Sequence, residues 1–228
     1  RDGCWSRGLG DVYKRQAQVL LAVMAGMYAV YHGEKGLKEI GNKVHSMACL
    51  LSKELEKIGY KNFNNKFFDT IRFNANKNIV KSLSEKRDIN FYYPNHNTVS
   101  ITLNETTNID DLNSIINLFR EIKKLPPCQI RTIPKDIMIS VKNQRKNGFL
   151  KDIVFNKYHS ETKLMRYIKY LENKDLALNR SMISLGSCTM KLNAAAEMLP
   201  LSWNRWGNIH PFVPVSYTHL RAHETINH

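Results

Sequence analysis

Phe67-Phe-Asp-Thr-Ile-Arg-Phe73 has the composition and period of a β-strand, with Phe67, Ile71 and Phe73 on one face. Downstream, Ile79, Val80 and Leu83 predict a short helix. Residues 89–93 and 98–103 predict a hairpin around Pro94-Asn-His-Asn97. Asn108, with Asp111 three residues on, predicts a capped helix ahead of Leu112, Ile115, Ile116 and Phe119. Strand, helix, strand, strand, helix over residues 60–124 is the pattern of a small α/β domain.

Upstream, Leu37, Ile40, Val44, Met47, Leu51, Leu55 and Ile58 follow at steps of three or four, a single apolar stripe on a helix. Gly59 lies where a left-handed cap is expected. The helix is long enough to bridge two domains. Before it, residues 17–31 are apolar on every side apart from Gln18 and Gly26. A membrane span needs about 20 such residues, and this run stops at His32-Gly33. It predicts a buried helix.

Downstream of the small domain, residues 125–150 lose their period, turn basic and carry Pro126, Pro127 and Pro134. They predict a connector with one strand at 137–141. Ser160 then predicts a helix cap, with Leu164, Ile168 and Leu171 on the inner face. Ser184-Leu-Gly-Ser-Cys-Thr-Met-Lys191 predicts a small polar loop, and Asn193 the start of an alanine-rich helix ending near Pro200.

Hydrophobic residues at 43% and charged residues at 24% are ordinary for a globular protein. The formal charge of +14 is the outlier. Its lysines are scattered among asparagines, with no basic run carrying aromatics spaced to stack bases, so the reading is a solvated lysine-rich surface rather than a nucleic-acid footprint. Cys4, Cys49, Cys128 and Cys188 show no paired spacing, which argues against a zinc site or a disulfide framework and fits a reducing compartment. Residues 1–16 and 215–228 have no period of either kind. Both resemble translated sequencing-adapter sequence and are set aside from the fold reading. His219, His223 and His228 in the second of them are read as part of a foreign tail rather than as a metal site.

Leu185-Gly-Ser-Cys-Thr-Met-Lys-Leu-Asn-Ala-Ala-Ala-Glu-Met198 resembles the glycine cleavage system P-protein family, and specifically so over 14 residues. His210-Pro-Phe212 and Pro214 continue the likeness. His159-Ser-Glu-Thr162, Arg166-Tyr-Ile168 and Leu171-Glu-Asn-Lys-Asp-Leu-Ala-Leu-Asn-Arg-Ser-Met-Ile183 resemble the start of that family's C-terminal half. The run from Ala17 to Gly33 resembles the close of the large domain in its N-terminal half, and weaker similarity, including Phe67-Phe-Asp-Thr70 and Leu103-Asn-Glu-Thr-Thr107, spans the interval. Ser184 departs from the family's usual proline, and residues 147–152 diverge from its usual approach to Val154-Phe-Asn156.

The resemblance implies a fragment of a fold type I pyridoxal-phosphate enzyme, α/β in class. Residues 17–59 would close the N-terminal-half large domain and bridge onward, 60–124 form its small domain, 125–150 link, and 151–214 open the C-terminal half. Such enzymes decarboxylate glycine and pass the aminomethyl group to the lipoyl arm of the H-protein, as a homodimer or a two-subunit assembly. The cofactor's ring accepts the electrons left by departing carbon dioxide, and a lysine in a His-Lys-Thr motif holds the cofactor. No His-Lys-Thr occurs in this sequence, so the fragment is expected to be inactive by itself.

Small residues let backbone amides approach an anion. On that ground Ser187, Cys188 and Thr189 are expected to line the glycine or cofactor pocket; a tight turn packing the two halves together is the other reading. Lys191 adjoins this loop but lies outside the cofactor-lysine motif, and Cys188 is read as structural. His159 is a candidate site contact beside Ser160 and Glu161, which capping explains; His210 is a second, and His32 and His45 are assigned to helix ends or faces. A non-catalytic scaffolding or regulatory paralogue is the alternative function. No metal, nucleic acid or membrane partner is expected, and the bacterial cytosol is the expected location ahead of the mitochondrion.

Overall fold

In a computed structural model, the structure describes residues 9–134, 139, 141–175, 177, 180, 196 and 199–207. The chain divides into two units, residues 1–167 and 168–228.

The first unit opens on α1 (Leu9–Lys57), two helical runs joined at Gly33, whose φ of 62° and ψ of −173° are not helical. The helix begins at Leu9, inside the stretch set aside above as foreign. Beyond it come β1 (Thr70–Asn74), α2 (Lys77–Glu85), β2 (Tyr92–Asn95), β3 (Thr98–Thr102) and α3 (Ile109–Ile122). The sheet is antiparallel throughout, in the order β1-β3-β2. Ile71 pairs with Ile101 and Phe73 with Val99, so four buried side chains share one face of the sheet. That face meets the second run of α1 through Met47, Leu51 and Leu55, α2 through Val80, and α3 through Leu112, Ile116 and Phe119.

Local chemistry ends each helix. The sequence places Gly59 as a left-handed cap, and its φ is 90°. The Tyr60 N–H reaches the Leu55 carbonyl and the Gly59 N–H that of Glu56, which closes a Schellman motif. Asn108 and Asp111 form the expected reciprocal capping box. At the other end of α3, Lys124 occupies the left-handed position with φ 55°, and the Leu125 N–H bonds the Arg120 carbonyl at 2.9 Å. A lysine there bears a Cβ penalty that glycine would avoid.

Some expected details differ. Strand β1 starts at Thr70 rather than at Phe67, which packs on the margin of the core. On α2 the inward residues are Val80 and Ser84, while Ile79 is half exposed; a single residue step on the helix carries Ile79 about 100° from Val80. The helix expected after Ser160 is α4 (Glu161–Glu172), but no residue of it is buried, Leu164, Ile168 and Leu171 included. In the connector, residues 141–143 form a 3-10 turn, and most of the expected strand at 137–141 lies outside the described residues.

In the second unit, Lys169 pairs with Glu172 at 2.9 Å and the Arg180 guanidinium donates to the Glu172 and Asp175 carbonyls. A 3-10 turn (Leu199–Ser202) leads into the single turn α5 (Asn204–Gly207), with Trp203 and Trp206 exposed.

Phe119 is fully buried against Tyr60, Phe73 and Phe91. Phe119→Ala is expected to cost about 3–5 kcal/mol in urea denaturation of the first unit. Lys124→Gly is expected to raise stability in the same measurement by about 0.5–1 kcal/mol.

Candidate functional site

The residues that sequence reasoning assigned to a pocket, Ser187, Cys188 and Thr189, lie outside the described residues, as do Lys191 and His210. The remaining candidates can be followed atom by atom.

His159 Nδ1 lies 2.7 Å from the Tyr31 carbonyl oxygen, 128 residues away in sequence. A carbonyl only accepts, so Nδ1 carries the proton and donates. The ring is thereby committed to the end of a helical run, where carbonyls lack intrahelical partners. Ser160 precedes α4 and its carbonyl accepts the Leu164 N–H, with Glu161 in the first turn. His159, Ser160 and Glu161 therefore serve structural ends, and nothing here converges into a catalytic cluster. His32 packs its ring on Tyr28 and Tyr31.

His45 and Cys49 meet one turn apart on α1. His45 Nδ1 is 2.9 Å from the Phe68 carbonyl oxygen, which fixes the proton on that nitrogen. The Cys49 sulfur is 3.5 Å from Nε2 and 4.0 Å from Nδ1. Near-equal distances to both ring nitrogens place the sulfur against the ring, off the Nε2 lone-pair direction. Burial pushes the Cys49 thiol up from its ordinary pKa, opposed by the nearby charge of Lys53. A raised thiol with no aligned base is a structural cysteine. Among the described residues no three His, Cys, Asp or Glu side chains come together to hold a metal ion.

Pyridoxal phosphate needs a cradle for its phosphate and a wall for its ring. The depression over α2, lined by Asn78, Lys81, Ser82, Glu85 and Lys86, is open to solvent. Lys81 there lies 3.6 Å from Glu85, which puts a carboxylate beside the available cation. This depression therefore does not fit the cofactor. Nor is any helix among the described residues long and apolar enough to cross a membrane.

The polar feature that sequence reasoning missed is on α3. Asn113 accepts from the Ile130 N–H at 2.8 Å and donates to the Ile130 carbonyl at 3.0 Å. Asn117 accepts from the Cys128 N–H at 2.8 Å, and Arg120 Nε donates to the Pro126 carbonyl at 2.6 Å. Spacing of four and three puts these three side chains in one row on the helix, and they hold residues 126–130 as a strap. Ile130 and Ile133 pack onto the core beneath it. The signal was present as a polar row beside the apolar stripe, but solvated polar rows look the same in sequence. Replacing Asn113 and Asn117 together with alanine removes three of these bonds. Trypsin cleavage after Arg131 is expected to accelerate at least about tenfold, tracking local opening; an unchanged rate would show the strap is held by its isoleucines alone.

Comparison with known proteins bears on the whole stretch. A family model, the glycine cleavage system P-protein, matches residues 15–119. The glycine dehydrogenase (decarboxylating) of Christiangramia forsetii is 56% identical over 200 residues, covering 88% of this chain and 21% of that protein. Its namesake in Flavobacterium johnsoniae is 55% identical over 199 residues, 87% of this chain and 21% of the relative. One from Nostoc is 43% identical over 211 residues, 89% and 21%. The chain spans about a fifth of the length of these relatives. An identity above one residue in two over about 88% of the chain, with the family model matched at residues 15–119, makes this chain a member of the glycine cleavage system P-protein family.

Proposed function

We propose that the chain is one stretch of a pyridoxal-phosphate-dependent glycine decarboxylase, and that this stretch carries none of the catalytic groups. The observation that supports it most is the 56% identity to a glycine dehydrogenase (decarboxylating) over 88% of the chain. The fold agrees: a mixed α/β unit on a three-stranded antiparallel sheet, read here as the small domain of a fold type I enzyme's N-terminal half. The whole enzyme would release carbon dioxide from glycine and hand the aminomethyl group to the lipoyl arm of an H-protein. The cofactor would supply the electron sink for that decarboxylation. The bacterial relatives support a bacterial source, and the whole enzyme is read as a cytosolic homodimer or two-subunit assembly.

Within such an enzyme the described residues supply rigid support. The loop at Ser187, Cys188 and Thr189 is proposed as the part of this chain nearest the cofactor or glycine. The exposed apolar side chains of the first run of α1, Val19, Leu21, Val23 and Met24, suit a helix that the remainder of the enzyme covers.

Transplantation tests the reading. Residues 17–214 replacing the matching stretch of the Flavobacterium johnsoniae enzyme are expected to give a chimera that decarboxylates glycine. A folded chimera without activity would sink the assignment. The chain by itself, mixed with pyridoxal phosphate and reduced with borohydride, is expected to show no preferred lysine; stoichiometric labelling of one lysine would place the cofactor lysine in this stretch after all.

A further inference from the structure

Gly33 interrupts α1 with φ 62°, and the space beside it is filled. A Cβ added there would lie 2.6 Å from the Phe155 carbonyl oxygen and 2.9 Å from His159 Cε1. A segment 115 or more residues downstream thus passes directly against the break. It engages both helical runs. On the first, His159 Nδ1 donates to the Tyr31 carbonyl at 2.7 Å. On the second, the Glu34 carboxylate accepts from the Phe149 backbone N–H and from Lys38 Nζ, the latter at 2.6 Å. Lys38 also lies over the Phe149 ring at 5.7 Å, and Arg145 stacks on that ring at 4.9 Å. The Lys38 hydrogen bond, more than any other cause, holds the Glu34 carboxyl below its ordinary pKa, so the carboxylate is charged and available to Phe149 at neutral pH.

We propose that Gly33 is a hinge and that residues 148–159 are its latch, with His159 as the positioning residue that fixes the angle between the two runs of α1. The break costs α1 its intrahelical bonds at that point, and a free chain would sample many angles there because glycine permits them. The latch selects one by satisfying the Tyr31 carbonyl on one side and Glu34 on the other. Only glycine leaves room for the Phe155 carbonyl to approach. The consequence is directional. The apolar arm carrying Val19, Leu21, Val23 and Met24 is aimed by a segment remote in sequence, alongside the single long bond from the Tyr28 hydroxyl to Glu105 at 3.5 Å.

Spin labels at Val23 and Glu56, both exposed and on opposite runs of α1, report the angle by pulsed dipolar spectroscopy. The full chain, with its cysteines replaced by serine, is expected to give one narrow distance distribution. His159→Ala is expected to broaden it, and His159→Asn to restore it, because the asparagine amide N–H can take the place of Nδ1–H at the Tyr31 carbonyl. Gly33→Ala is expected to move the distribution toward about 50 Å, the rise of 33 residues in an unbroken helix, since its Cβ expels the latch and favours helical φ. A broad distribution in the parent chain, a narrow one in His159→Ala, or an unmoved one in Gly33→Ala would each overturn the proposal. Far-UV circular dichroism shows whether each variant is folded, and the parent measurement and either variant decide the matter without the other.

Discussion

Aromatic packing around Phe119 is the constraint on which the first unit depends. Its ring meets Tyr60 at 5.1 Å, Phe73 at 5.2 Å and Phe91 at 5.8 Å, so α3, the end of α1, β1 and the approach to β2 converge on one side chain. Tilted and edge-on arrangements of this kind add to the area they bury. Backbone pairing links the four elements only through the sheet and through a bridge of Asn62 with Phe73 just beyond the end of α1. Their mutual placement is set by the shape that these rings leave for Met47, Leu51, Val80 and Leu112, all fully buried around them.

Two devices extend this core outward without adding to it. The asparagine row on α3 captures backbone groups of residues 126–130, and the segment at 148–159 captures the end of a helical run and the face of the next. Each satisfies main-chain donors or acceptors that would otherwise face solvent. Both convert sequence that reads as an irregular connector into defined structure.

Family membership rests on identity over most of the sequence, whereas the described histidine candidates are held in structural contacts. His159 shows why composition misleads. A histidine beside serine and glutamate has the ingredients of a catalytic cluster, but its ring is spent on a helix end. Cys49 beside His45 has the distances of a reactive pair and the wrong direction.

Local signals in the sequence determined the described helices, the caps at Gly59 and Asn108 and the β2–β3 hairpin, while the place of β1 beside β3 came only from the tertiary structure. Gly59, the Asn108–Asp111 box and the apolar stripe from Leu37 to Ile58 act within a few residues, so their energetics are written in neighbouring side chains. The motif from Leu185 to Met198 likewise carried the family without any coordinates. Tertiary structure alone decided that Ile79 faces out, that Leu164, Ile168 and Leu171 are not buried, and that residues 126–130 and 148–159 are pinned. Those outcomes depend on what lies across space from each residue. A hydrogen bond from His159 to Tyr31 leaves no periodic trace, because the two partners are 128 positions apart and each alone is an ordinary side chain or carbonyl.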